Sequence, residues 1–399
     1  MKIVIVTDQP FPIGYAATNR IISYGKGFVE NGCSVKVLCL RANQYPFDYR
    51  GKAERYGTYE GVSYEYTPGT SRRGKSFIQR RWLELRGLIV GLRLAVGGGE
   101  GGKFDAILLH SNSALYIVAF GLAAKAARIV YLQEKSELPF VLKNRSFPGR
   151  LYAKAYIGHI YKIFDGMLVE TERLKEYFSS KVRRRARLLV VPATVDAREI
   201  LEAREKKDGG CYIFYCGTIA REKKDGLHIL IRAFYEVCTV YSDLRLTIAG
   251  KGLDPEMEFY RALVRELGLE DKVTILGPVP RGELVDLMKS AEILALAKER
   301  DEMQSGGLSS KVVEFLYTGK PVVLTDLGRI TAHLRDKETV FFAEPDDVDS
   351  FARALRYVLE HPEEARRVGK RGQDFALRYF DYRLHTKRIM EFIRTIRTP

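Results

Sequence analysis

Gln304-Ser305-Gly306-Gly307-Leu308-Ser309-Ser310-Lys311-Val312-Val313-Glu314-Phe315-Leu316-Tyr317-Thr318-Gly319-Lys320-Pro321-Val322-Val323-Leu324 reads as a small-residue loop, a helix and a strand. Gly306 and Gly307 allow close approach of backbone N–H groups to a ligand. Ser309 or Ser310 can cap the helix. A helix N-terminus offers free N–H donors and a positive dipole end, which suits phosphate. Lys311 adds a full charge. Glu314, three residues on, shares its helix face. Gly319 stops the helix, and Pro321 opens the Val322–Leu324 strand. Amides and a cation for phosphate, with a carboxylate for hydroxyls, suit a nucleotide sugar.

Working outward, Cys211–Gly217 reads as a strand running into glycine, Thr218–Gly226 as a basic loop, and Leu227–Val240 as a helix. This arrangement also suits a diphosphate. The N-terminus repeats the theme: strand 2–7, a loop containing Gly14, a helix from about Arg20 to Asn31, and strand 33–40. A β-loop-α-β opening predicts a doubly wound sheet with ligand at the strands' C-terminal ends. Strands 104–110 and 129–132 deliver His110 and Gln133-Glu134-Lys135-Ser136-Glu137 to the same edge. Lys135 is placed to pair with either glutamate as a structural ion pair.

These segments resemble retaining, GT-B-fold glycosyltransferases of family 4 (glycosyl transferases group 1). That family has two glutamates eight positions apart before a small-Gly-x-Pro-Val-Val strand. Glu314 matches the second, which holds ribose hydroxyls, while Gly306 stands at the first. The resemblance implies two Rossmann-like α/β domains facing a cleft. It assigns donor binding to Gly14, Gly217, Thr218, Gly306, Gly307, Leu308, Ser309, Ser310, Lys311 and Glu314. Lys224 and Arg221 match the family's catalytic lysine and arginine. Glu134 is the catalytic carboxylate candidate, and His110 and Glu137 lie on the acceptor side. The implied reaction moves a sugar from a nucleotide-sugar donor to a hydroxyl of a glycan or lipid-linked acceptor. No cofactor or metal is expected. The one Asp-x-Asp, Asp347-Val348-Asp349, reads as a helix cap.

The chain has 399 residues, 46% hydrophobic and 29% charged, which suits two ordinary domains. Expected bounds are 1–200, 201–380, and a C-terminal helix, 381–399, returning to the first domain. No apolar run reaches the roughly 18 residues of a membrane span. The opening Met1–Asp8 reads as a buried strand, too short for a signal peptide. Five cysteines without a Cys-x-x-Cys read as reduced core residues, which points to the cytoplasm.

The net charge of +15 is lopsided. Residues 1–200 hold 32 lysines and arginines against 17 acidic residues, and the remainder is balanced. Residues 72–93 interleave seven arginines and lysines with Phe77, Trp82 and aliphatic residues. That pattern is either a basic amphipathic helix on an anionic membrane surface or a core-facing helix with a solvated face. The Gly97–Gly102 run reads as a linker. Two rival readings are a sugar-nucleotide epimerase on the same fold and a basic nucleic-acid-binding protein. The second leaves the Gly306–Glu314 segment without a role, so no nucleic-acid partner is expected.

Overall fold

Strands with both faces apolar belong in the middle of parallel sheets. Val4 and Val6 pack to one side of the first sheet and Ile3 and Ile5 to the other, all fully buried. The computed structural model describes residues 1–14, 16–43, 54–98, 102–139, 146–205, 210–221, 225–300, 308–328 and 331–397. The chain forms two compact units, Met1–Val195 with Asp381–Pro399, and Asp196–Phe380.

In chain order, unit 1 comprises β1 (Lys2–Thr7), α1 (Ala16–Glu30), β2 (Ser34–Cys39), β3 (Tyr56–Tyr59), β4 (Val62–Tyr66) and α2 (Phe77–Gly97). It continues with β5 (Ala106–His110), α3 (Ala114–Ala127), β6 (Val130–Lys135), α4 (Phe147–His159), β7 (Gly166–Val169), α5 (Glu172–Ser179) and β8 (Arg187–Val190). The sheet order is β3-β4-β2-β1-β5-β6-β7-β8, parallel except for the β3–β4 pair. Buried residues of α2, α3 and α4 cover one sheet face, while α1 covers the other.

Unit 2 comprises α6 (Arg198–Glu202), β9 (Tyr212–Cys216), α7 (Leu227–Cys238), β10 (Arg245–Ala249), α8 (Asp254–Glu266), β11 (Val273–Gly277) and α9 (Arg281–Ser290). β12 (Ile293–Leu296), α10 (Ser310–Thr318), β13 (Val322–Thr325), β14 (Phe341–Ala343), α11 (Val348–Glu360) and α12 (Pro362–Tyr379) follow. Its all-parallel sheet runs β11-β10-β9-β12-β13-β14. Asp347 caps α11, its carboxylate accepting from Ser350 N at 2.8 Å.

The chain then returns to unit 1 as α13 (Tyr382–Arg397). Its seat is Gly27 on α1, where a Cβ would overlap Thr386 and the Tyr382 ring. The Tyr382 hydroxyl donates to Glu30 at 2.9 Å, and Asn31 Nδ2 donates to Thr386 at 3.0 Å.

Two expected helix bounds shift. α1 starts at Ala16 rather than Arg20 because the chain turns before it, Thr18 Oγ1 donating to Pro10 O at 2.7 Å. α2 starts at Phe77 rather than 72 because Ser76 is its cap, accepting from Gln79 N at 3.1 Å. It also runs on to Gly97, so the expected glycine linker begins inside the helix.

Candidate functional site

In unit 2 the C-terminal ends of β9 and β12 bring two distant segments together. β9 ends at Cys216, and Gly217 follows it. α10 enters after β12 with Lys311 in its first turn. A Cβ on Gly217 would overlap Lys311 Nζ and approach the Tyr215 hydroxyl to 2.9 Å, so only glycine leaves this space. Lys311 Nζ pairs with the Asp225 carboxylate and lies 5.5 Å from the centre of the Tyr215 ring. The Tyr215 hydroxyl donates to Asp225 at 3.1 Å. Burial, then the Asp225 charge, pushes this phenol well above its usual pKa, so it stays a donor.

Glu314, one turn further along α10, is buried and takes Arg281 Nη1 at 2.6 Å. Arg281, at the start of α9, also reaches Glu199 at 3.1 Å. Burial opposes the Arg281 charge, but Glu314 and Glu199 outweigh it and hold its pKa up. Leu308 and Ser309 line a small solvent-open cleft with Leu296, Lys298, Thr325 and Thr331. Ser309 stands at the cap position of α10 without a side-chain cap hydrogen bond, and Ser310 begins the helix.

Thr218 is exposed just past Gly217. Arg221 is engaged by α8. Its Nε meets Glu256 of α8 at 3.2 Å, its backbone N donates to the same carboxylate at 2.9 Å, and its guanidinium lies 4.6 Å over the Phe259 ring. Lys224, Gly306 and Gly307 lie outside the described residues.

In unit 1 the C-terminal ends of β1, β5, β6 and β7 converge, as the parallel registers Thr7↔His110, Leu109↔Gln133 and Glu134↔Leu168 require. There Glu134 is buried between His110 Nε2, at 3.2 Å, and Arg20 Nε, at 2.6 Å. Arg20 reaches in from α1, lies 3.8 Å from Glu170, and donates to the carbonyls of Pro192 and Val191 at 3.2 and 2.9 Å. Burial alone would raise the Glu134 pKa. Arg20, the His110 hydrogen bond and Lys135 reverse that and hold it at about 2.

Lys135 pairs with neither glutamate directly, because its Nζ is taken by Asn112 Oδ1. Burial lowers its pKa to about 8, against the pull of Glu134, Glu137 and Asp8. Glu137 lies beyond the end of β6, exposed. Gly14 lies just before α1.

Arg20, Asp225, Tyr215 and Arg281 escape the sequence reading, as do their neighbours Glu170, Glu199 and Asn112. Arg20 carried one signal, a cation directly before the apolar pair Ile21-Ile22 of an amphipathic helix. Asp225 carried another, sitting between the basic loop and the helix-opening Gly226.

Residues 196–375 match the family model described as "Glycosyl transferases group 1". Among curated proteins, 2-deoxystreptamine glucosyltransferase of Streptomyces kanamyceticus is 26% identical over 49% of this chain and 52% of its own length. D-inositol 3-phosphate glycosyltransferase of Corynebacterium aurimucosum is 30% identical over 40% of this chain and 37% of its own. The chain thus spans about half the length, or less, of these relatives. Solved structures match throughout. Sucrose-phosphate synthase of Thermosynechococcus elongatus has a TM-score of 0.71 at 16% identity, covering 99% of this chain and 98% of that one. Anabaena HepE, solved in complex with UDP-glucose, has a TM-score of 0.71 at 13% identity, covering 98% and 99%. At such identities the likeness shows the fold, which is GT-B.

Proposed function

We propose a function from one premise: residues 196–375 belong to the glycosyl transferases group 1 family. On that premise the chain is a retaining glycosyltransferase. It moves a sugar from a nucleotide-sugar donor, held by unit 2, to a hydroxyl of a glycan or lipid-linked acceptor, taken by unit 1.

The observation that carries this is Lys311 seated against Gly217 at the strand ends, with Glu314 on the same helix. A diphosphate leaving group gains charge in the transition state. Groups that stabilise that charge without reorganising lower the barrier most. Lys311 is held in place by Asp225, and the first turn of α10 adds a positive dipole end. Lys224 supplies a second cation by its match to the family lysine. Glu314, aligned by Arg281, takes the ribose hydroxyls. With cations and amides for the diphosphate, the reaction runs without a divalent metal. A uridine diphosphate sugar is the donor class supported by the ligand of the Anabaena neighbour.

In unit 1, Glu134 fixes the half-buried His110 from one side and leaves the rest of its ring for a substrate hydroxyl. No helix among the described residues is long and apolar enough to cross a membrane. The cation excess of residues 1–200 supports a cytoplasmic protein held peripherally at an anionic membrane.

A thermal-shift panel of nucleotide sugars tests the donor assignment. Uridine diphosphate sugars should raise Tm for the wild type, less for Lys311→Ala and Glu314→Gln. If no nucleotide sugar shifts the wild type, the donor reading is lost.

A further inference from the structure

Three helices on one face of the unit 1 sheet show the solvent apolar stripes, not polar ones. On α2, Ile78, Trp82, Leu85 and Ile89 recur every three or four residues at 50–79% exposure, with Phe77 beside them at 63%. On α3 the stripe is Leu115, Val118 and Leu122, at 39–66% exposure. α4 adds Phe147 and Leu151, at 75% and 62%. The opposite stripes of these helices are spent on the core, as Leu88, Phe120 and Tyr156 show. Each helix is therefore apolar on two sides. A soluble monomer does not ordinarily expose so many large apolar side chains on the helices of one sheet face.

The charges on these helices define what would cover that face. They carry seven cations, Arg80, Arg81, Arg86, Arg93, Lys125, Arg150 and Lys154, and a single carboxylate, Glu84. Aromatic and aliphatic anchors set among unbalanced cations match an anionic lipid leaflet, where apolar side chains enter the acyl boundary and cations meet headgroups.

The direction of the chain supplies the rest. β4, β5 and β6 run parallel to their neighbours, so the helix after each strand runs back from the sheet's C-terminal edge. Phe77, Ile78, Trp82, Leu115, Val118, Phe147 and Leu151 all lie in the first halves of their helices. They rim the same edge on which β5 ends with His110 and β6 carries Glu134 one residue before its end.

We propose that the α2–α3–α4 face docks on an anionic phospholipid leaflet, and that it sets the His110–Glu134 edge against the headgroups. The inference deepens the peripheral-membrane part of the function above and rests on it. Its consequence is an acceptor presented from the bilayer rather than from bulk water.

Trp82 is the only tryptophan in the chain and is 64% exposed, so its emission reports this face alone. The probe is vesicles of phosphatidylcholine containing phosphatidylglycerol, compared with pure phosphatidylcholine. Wild type should float with the anionic vesicles at low salt while Trp82 emission moves to the blue. At about fivefold in affinity per cation, Arg81→Glu with Arg86→Glu and Arg150→Glu should weaken binding at least about a hundredfold. Leu115→Ser with Leu122→Ser and Leu151→Ser should bind at low salt but release as salt rises, because only charge remains to hold it. Uridine diphosphate sugar thermal shifts should be unchanged in both variants, and their loss in wild type would strike the donor reading instead. The proposal falls if wild type does not float at low salt, or if both variants float like wild type. It also falls if Trp82 emission turns blue with protein concentration alone, because a second copy of the chain then covers the face.

Discussion

Lys311 Nζ occupies the space that any side chain on residue 217 would need, and Asp225 pins it there. A glycine after one strand and a lysine in a later helix thus form one element of the site. Glycine at 217 makes room for a cation. Gly217→Ala should displace Lys311 while leaving the strand and Tm nearly intact. Calorimetry should show nucleotide affinity falling about tenfold or more, the scale of one charge-assisted contact. Unchanged affinity would mean that Lys311 does not serve the donor.

The donor-side residues should separate kinetically. Lys224→Ala should mainly lower kcat, because that lysine acts on charge that grows in the transition state, and Lys311→Ala should both lower kcat and raise KM for the donor. Glu314→Gln should mainly raise KM for the donor, through the ribose. Arg281→Ala should follow Glu314→Gln, since the arginine aligns that carboxylate. Steady-state kinetics on the four variants decides the matter. Equal effects on kcat and KM across the set would remove the division of roles.

Unit 1 should show two pH signatures. The Glu134 pKa is depressed to about 2, so its contribution to stability is full above the unfolded carboxylate pKa. That contribution is lost as pH falls through about 2. The Lys135 pKa is depressed to about 8, so the buried charge costs stability below that pH. Between about 8 and the ordinary lysine value the unfolded chain binds more protons, and stability rises with pH. Urea midpoints should show this alkaline rise for wild type and lack it for Lys135→Met. Glu134→Gln leaves Glu170, at 3.8 Å, as the remaining carboxylate beside the buried Arg20 and should cost about 3–5 kcal/mol.

Catalysis should be indifferent to divalent metal. Turnover measured with a strong chelator should equal turnover with added magnesium or manganese. Activity abolished by the chelator and restored by either ion would overturn the metal-free mechanism.

The α10–β13 segment was legible where its signals are local. Gly319 ending α10, Pro321 opening β13 and Lys311 three residues before Glu314 are all patterns within a few residues of one another. The partners of those side chains were not legible. Asp225 for Lys311, Arg281 for Glu314 and Arg20 for Glu134 come from other elements, and only the folded sheet brings them together. Arg221 shows the same gap. Its place in a basic loop suggests phosphate, and only the fold reveals Glu256 and the Phe259 ring, from the next helix, beside it. Residues 72–93 were ambiguous for a different reason: an apolar stripe in a sequence does not say what covers it. Burial shows that α2 has two such stripes, one on Leu88 and Ala95 and another on Ile78, Trp82 and Leu85.

The return of α13 to α1 sets an order of assembly. Unit 2 is an uninterrupted stretch, Asp196–Phe380, whereas unit 1 is closed by residues after Asp381. On the ribosome, unit 2 can fold to completion while the groove beside Gly27 still waits for Tyr382 and Thr386. Until then the part of that sheet face that receives Ile389 and Ile393, beside α1, is uncovered. The turns of α13 therefore act as the closing step for unit 1. A chain that stops at Phe380 should carry a finished unit 2 joined to an unfinished unit 1, prone to aggregation and a target for proteolysis.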